Sequence, residues 1–387
     1  MTSMEAARTW CTVAVLLLLV LLAVGGTASG GENQPESVIY KKIAGSIYGG
    51  AIGDAMGGPV EMRPKEYVDR WFGGRIEKIE SYRTEDGKEI PGSRGRYTDD
   101  TTLRLILCRA IIDKQGRVDA QDLARAWLKW FEPDRLWVTE HIAYSKMKVY
   151  SPFWSNLPSP GIFADPNYSA RDTGKGNIPA CDAAMMVPPI GLIDACDPFQ
   201  AALDGYEVSL TCQSGYSASA SCAVAAAVAE AMKENATVKG VVDAAVEHTD
   251  CATAYCIRRA VALAEQCDDT AEFTRLFYER NYLYSPVDVL EVVPAAIGLF
   301  VAAKGDFRET ILGGVNFGRD CDTIPGIAGS IAGALQGIDA IPDDWVRAVR
   351  DANPDPNLDE IILGMYKALG AELTRTERRT QEIRKIY

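Results

Sequence analysis

Apolar residues fall at helical spacing along most of the chain from Val38 onward. Positions three and four apart share one helix face, so the pattern predicts helices over Val38 to Gly57, Asp99 to Asp113, Ala120 to Phe131 and Thr139 to Val149. It then runs helix after helix from Ala180 to Lys304, several of them alanine-rich, such as Ala218 to Lys233 and Val238 to Glu247. A further helix lies between Ile324 and Leu335, and the charged tail from Leu373 to Tyr387 reads as a peripheral helix. Two stretches break the pattern. Gly58 to Tyr97 is polar and rich in glycine and proline, a long loop of the kind that carries function. Ser151 to Pro179 holds five prolines and several aromatics. No segment requires a strand. The expectation is an all-α domain of many helices with its functional loops at one end.

Glycines sharpen that picture. Gly45, Gly49, Gly53 and Gly57 repeat every four residues and form one ridge of the first helix. Each costs about 1 kcal/mol relative to alanine in a helix interior, so four together point to very close packing. A membrane dimer motif has the same spacing. Lys41, Lys42 and Asp54 in the same segment favour a central helix of a soluble core. Gly326, Gly329 and Gly333 line the Ile324 helix in the same way.

Before Val38 the chain has a different character. Arg8 precedes an apolar run from Trp10 to Val24, and small residues follow from Gly25 to Gly31. This is the layout of a secretory signal peptide over residues 1–29, with cleavage near Ala28 or Ser29, and it places the protein outside the cytoplasm, secreted or periplasmic. The alternative is an uncleaved membrane anchor, although the run is shorter than the roughly 20 residues that span a bilayer. No later stretch is apolar enough for a second span. Nine cysteines remain beyond Cys11, an odd number, so at least one is free or pairs between chains. Cys108, Cys222 and Cys256 fall in apolar helical patterns and read as small packed thiols. Asn167-Tyr168-Ser169 and Asn235-Ala236-Thr237 match the glycosylation acceptor pattern.

The formal net charge of -13 argues against a nucleic-acid backbone as the main partner, while leaving room for a phosphate-bearing small molecule if cations supply charge locally. Two histidines, His141 and His248, argue against histidine-rich zinc chemistry and a Ser-His-Asp triad. The chemistry gathers instead in two acidic clusters more than two hundred residues apart: Thr98-Asp99-Asp100 and Asp320-Cys321-Asp322-Thr323. Each precedes an apolar helical run and should cap a helix N-terminus, where side-chain oxygens meet free N–H groups and the positive end of the dipole. Either alone is explained as an ordinary cap. Together they offer four carboxylates and two hydroxyls, a hard all-oxygen set suited to Mg²⁺, Mn²⁺ or Ca²⁺.

These motifs, with one more, resemble a known family. Gly53-Asp54-Ala55-Met56-Gly57-Gly58-Pro59-Val60-Glu61 is similar to the opening motif of the ADP-ribosylglycohydrolases, and Tyr97-Thr98-Asp99-Asp100-Thr101 to the second. Gly313 to Thr323, followed by the glycine-lined helix, is similar to the third. They lie in family order over Val38 to Ile341, leaving residues 342–387 as a C-terminal helical extension. The resemblance implies an all-α bundle with a cleft at one end holding two Mg²⁺, with Mn²⁺ as a substitute. It implies Thr98, Asp99, Asp100, Asp320, Asp322 and Thr323 as metal ligands and Glu61 as a mobile catalytic acidic residue. It also implies a substrate in which ADP-ribose is joined through its anomeric carbon to a protein or small acceptor.

The residues suit that chemistry. Cleaving a ribosyl bond needs an activated water and a proton for the leaving group, and Glu61, Asp99 or Asp100 could carry the proton. Another N-ribosyl or nucleotide-derived substrate, or a non-catalytic binding role, are the alternatives. Many relatives have a compact Gly-Asn-Gly turn before a Met-Arg-Val-Ala-Pro stretch, whose backbone approaches the phosphates. Here Gly174-Lys175-Gly176-Asn177 stands several residues before Ala184-Met185-Met186-Val187-Pro188-Pro189, which makes Gly176 and Asn177 the candidate substrate-binding pair in a displaced loop. Tyr150, Phe153 and Trp154 would either stack on an adenine or pack locally. Cys321, between the distal aspartates, would either ligate or fill space.

Overall fold

A computed structural model describes residues 37–130, 138–150, 169–281 and 285–387. The leader expected over residues 1–29, and Phe153, Trp154, Asn167 and the side chain of Tyr150, lie outside the described residues. The helices are α1 (Val38–Gly57), α2 (Lys65–Phe72), α3 (Asp99–Lys114), α4 (Ala120–Trp130), α5 (Val138–Tyr150), α6 (Asp182–Met186), α7 (Pro188–Ile193), α8 (Pro198–Ser209) and α9 (Tyr216–Ala231). They continue with α10 (Val238–Glu247), α11 (Cys251–Ala264), α12 (Thr270–Asn281), α13 (Val289–Ala302), α14 (Phe307–Val315), α15 (Thr323–Gln336), α16 (Asp343–Ala352) and α17 (Leu358–Ile386). Among the described residues there is no strand, only an isolated bridge between Arg83 and Glu89. The all-α expectation holds, and no described helix is long and apolar enough to cross a membrane.

Among the described residues, α1 and α15 make the most extensive helix pair. They run antiparallel with glycine ridges in contact. A Cβ at Gly45 would lie 2.2 Å from the Gly333 carbonyl oxygen, at Gly49 2.2 Å from that of Gly329, and at Gly53 2.2 Å from that of Pro325. At Gly57 it would lie 1.8 Å from the Cys321 carbonyl oxygen. No side chain fits these separations, so the close packing read from the sequence is realised along the full length of α1. The opposite end is locked by Lys42, whose buried ammonium donates to the carbonyls of Ala231, Ala334 and Leu335 at 2.8, 3.0 and 2.9 Å. It satisfies free carbonyls where α9 and α15 end.

One expectation changes. The stretch from Gly58 to Tyr97 is not all loop: a 3₁₀ turn spans Gly58–Val60, and α2 follows directly on Pro64. α2 buries only Tyr67 and has no side-chain N-cap, so it left little trace in the apolar pattern. The C-terminal extension is half core and half periphery. Trp345, Val349, Leu358, Ile362, Met365 and Leu369 are buried with the rest, and Tyr48 donates to Asp359 at 2.8 Å. Beyond Glu372 the 29-residue α17 is exposed, as the charged tail predicts. Cys108 and Cys222 are buried and Cys256 half-buried; all nine cysteines after Cys11 are free.

Candidate metal centre and active site

The glycine seam ends at the site. Because Gly57 rests on Cys321, the turn after α1 delivers Glu61 beside the segment before α15. Met62 N–H donates to the Arg319 carbonyl at 2.9 Å, tying the residue after Glu61 to the residue before Asp320. Arg319 is itself held by Glu291, with Nε to Oε1 at 2.5 Å. One carboxylate oxygen each from Glu61, Asp320 and Asp322 then lie within 4.8 Å of one another.

The two acidic clusters are helix caps, as their sequence context predicts. Thr98 caps α3 by accepting from Asp100 N–H at 3.4 Å, and Asp322 caps α15 by accepting from Thr323 N–H at 2.9 Å. They are also tied crosswise. Thr98 Oγ1 donates to Asp322 Oδ2 at 3.4 Å, and Thr323 Oγ1 donates to Asp100 Oδ2 at 3.2 Å. Asp54, one turn before Gly57 and fully buried, sets the approach of α3. It accepts from the backbone N–H groups of Thr98 and Thr101, both at 2.9 Å, and from Thr101 Oγ1 at 2.6 Å. Two helix N-termini therefore converge on α1, each carrying carboxylates toward the other.

A cavity of about 120 Å³ opens there. Its walls include Glu61, Asp99, Asp100, Asp320, Asp322 and Thr323. Thr98 faces a second cavity of about 500 Å³, lined by Tyr82, Arg96, Tyr97 and Asn353, which shares Asp99 with the first. Gly176 and Asn177 do not line the cleft. The Asn177 amide instead donates to the carbonyls of Thr139 and Cys212 at 3.2 and 2.6 Å, anchoring its loop. The residues of that loop that reach the cleft are Ile178, Ala180, Cys181 and Asp182. Ala180-Cys181-Asp182 directly precede Ala183-Ala184-Met185.

Like charges crowded into a buried site hold protons. The Glu61 carboxyl is pushed up to about 7, first by burial and then by Asp320 and Asp54. Asp99 is pushed up to about 8, by burial and then by Glu140 and Asp54. Burial raises Asp320, and it raises Asp100 and Asp322 well above the carboxylate range. Arg104 lies among them, with Nη2 3.4 Å from Asp100 Oδ1 and Nε donating to the Met185 carbonyl at 2.7 Å. Arg104, with Arg63 acting on Glu61, leaves the carboxylates in excess of the positive charge. Buried, converging, oxygen-only and short of positive charge, the donor set fits hard divalent cations.

Sequence reading missed Asp54 as a positioning residue and Glu140 and Asp182 as cleft residues. Asp54 carried a signal, a charged residue on the most tightly packed helix. Glu140 and Asp182 carried none, because an acidic residue in a helix's first turn is ordinary.

Helices, cleft and converging acidic caps together describe an all-α protein with an acidic cleft, and comparison with known proteins gives its family. The ADP-ribosylglycohydrolase family model matches residues 35–379, and the chain belongs to that family. An uncharacterized protein of Escherichia coli (strain K12), YegU, is 27% identical over 335 residues, covering 81% of this chain and 92% of the relative. The ADP-ribosylarginine hydrolase Tri1 of Pseudomonas putida (strain GB-1) is 23% identical, covering 81% of this chain and 76% of the relative. The ADP-ribosyl-[dinitrogen reductase] glycohydrolase of Rhodospirillum rubrum is 22% identical, covering 80% and 90%. A solved ADP-ribosylglycohydrolase-related protein complex has the same fold, with a TM-score of 0.61 and 19% identity over 86% of this chain and 99% of that one.

Proposed function

We propose that this protein is a hydrolase requiring Mg²⁺, or Mn²⁺ in its place, that cleaves the anomeric bond of ADP-ribose attached to a protein or small acceptor. The observation that carries the reading is the convergence of Glu61, Asp320 and Asp322 on the wall that Asp99, Asp100 and Thr323 complete. Two cations held by Thr98, Asp99, Asp100, Asp320, Asp322 and Thr323 would supply the Lewis acidity that the ribose and the attacking water require.

The chain's own groups do the rest. Glu61 is the best placed proton carrier: half-buried, at the cavity wall, and with an affinity for protons near neutrality. Asp100 is held by Arg104 and Thr323, which favours a fixed orienting role over proton transfer. Asp99 lines both cavities. Apolar Ile178, Ala180, Met185 and Val287 line the cleft alongside the carboxylates.

Release of ADP-ribose from an ADP-ribosylarginine peptide, followed by mass spectrometry with Mg²⁺ and with a chelator, tests the reading. Chelation should abolish release. Stabilisation by Mg²⁺ with adenosine or ribose, but not with ADP-ribose, would move the assignment to another ribosyl substrate. Arg8 and the apolar run from Trp10 to Val24 support export as part of this proposal. N-terminal sequencing should find mature protein starting near Gly30; intact Met1 in a cytoplasmic fraction would refute export.

A further inference from the structure

Only the first half of the 29-residue α17 belongs to the core. Ile361, Ile362, Met365, Ala368 and Leu369 are buried, whereas every residue from Leu373 to Tyr387 is exposed. Among the described residues its last hydrogen bond to the body is that of Arg375, which donates to the Gln115 carbonyl. A helix of about fifteen residues standing alone is marginal in water, so the projecting half calls for a partner surface. Its spacing says what kind. Leu373, Thr376, Thr380, Ile383 and Tyr387 follow steps of three and four residues, the period of a coiled-coil seam. They continue the row of Ile362, Tyr366 and Leu369, which packs on the body. Past the body the row is uncovered, with Leu373 55% and Ile383 48% exposed.

The charges beside the seam select the partner and its direction. Glu372 and Arg379 flank one side of it, Glu377 and Arg384 the other. Glu377, Arg379 and Arg384 form no ion pair among the described residues, and Glu372 makes only a surface contact with Arg375, at 2.6 Å. Two copies side by side and parallel would set Glu372 against Glu377 and Arg379 against Arg384. Like charges facing each other across a seam oppose association. Antiparallel copies, with Leu373 opposite the partner's Ile383 and Thr376 opposite the partner's Thr380, set Glu377 against the partner's Arg384 and Glu372 against the partner's Arg379. Every flanking pair is then opposite in sign, and two-fold symmetry repeats each one. We propose that the projecting half of α17 joins two copies of this chain as a short antiparallel coiled coil. Each projecting end reaches the point where the partner's helix leaves its body, which gives an overlap of about 22 Å. Two threonine layers and so short an overlap make it a weak dimer, with a Kd of about 10–100 μM. The dimer does not depend on the hydrolase reading.

Sedimentation equilibrium on the full chain should show reversible exchange between monomer and dimer. I383N should leave the monomer. E377R places like charges opposite each other at two symmetric positions and should raise Kd about tenfold. Adding R384E restores opposite charges, so the double variant should return to within about threefold of wild type. Loss of helix in a single variant would mimic loss of contact, and this rescue separates the two. In a parallel dimer E377R would face Glu372 and tighten association, so a tighter dimer overturns the proposal. A wild-type chain still monomeric at about 300 μM, or a dimer unmoved by I383N, also overturns it. The projecting half is rich in arginine, which an anionic surface would attract as well. A monomer that sediments with vesicles of phosphatidylcholine and phosphatidylglycerol, and loses that binding with I383N, would give the helix to a membrane surface and refute the dimer.

Discussion

At the scale of single residues, Glu61 and Asp322 answer different questions. Glu61→Gln keeps size and hydrogen bonding but removes the proton carrier, so kcat should fall about 10²–10⁴-fold with Mg²⁺ affinity little changed. A fall below about threefold at saturating Mg²⁺ would hand the role to Asp99. Asp322→Asn keeps a residue that can cap α15, yet removes one of the mutually repelling carboxylates. The metal-free variant should therefore melt higher than wild type at pH 7.5, while its Mg²⁺-induced shift shrinks and activity is lost. Lower metal-free stability would show that Asp322 serves the fold before it serves a cation. The residues at the helix caps were legible in the sequence because an acidic pair ahead of an apolar run has a local signature. Asp182 and Glu140 were not, since their burial arises only when α5 and α6 close over the cleft. Asn177 stood out because glycine and asparagine at a loop suggest a ligand; in the structure its amide donates to backbone carbonyls.

At the scale of elements, the α1–α15 seam is the device that makes a site out of segments far apart in sequence. Gly53→Ala would drive a Cβ into the Pro325 carbonyl, so α1 and α15 must separate. Such overpacking costs about 1–3 kcal/mol. The separation also moves Glu61 from Asp322, so the Mg²⁺-induced shift should diminish with the melting temperature. Gly370→Ala is the matched contrast, because a Cβ there meets nothing within 4 Å in the interior of α17. It should stabilise by up to about 1 kcal/mol and leave metal binding alone. Equal losses from both substitutions, read by chemical denaturation, would remove the seam from the argument. The seam was legible because four glycines in a helical run make little sense except as close packing. α2 was not: eight residues after a proline with one buried side chain carry too little apolar periodicity to stand out from a loop.

At the scale of the whole molecule, net charge and the raised carboxyl groups link stability, pH and metal. The chain carries -13, and its cleft concentrates carboxylates that burial and mutual repulsion keep protonated well above their usual range. Glu61 at about 7 and Asp99 at about 8 bind protons in the folded state that the unfolded chain releases near pH 4. Across that window the folded state holds more protons, so metal-free stability is greatest below pH 4 as far as these groups are concerned. It declines as pH rises through 7 and 8. A divalent cation reverses the sign of the problem. It displaces those protons and binds the ionised carboxylates, so its affinity rises with pH over the same interval. Stabilisation at one hundred times Kd amounts to about 2.7 kcal/mol. At fixed Mg²⁺ the melting shift should therefore be small at pH 5.5 and grow toward pH 8, with protons released on binding as measured by calorimetry in buffers of different ionisation enthalpy. A Mg²⁺ shift that is the same at both pH values, with no proton release, would mean the carboxylates are already ionised in the metal-free protein. Repulsion at the cleft would then have to be relieved by some other counter-charge than the cation.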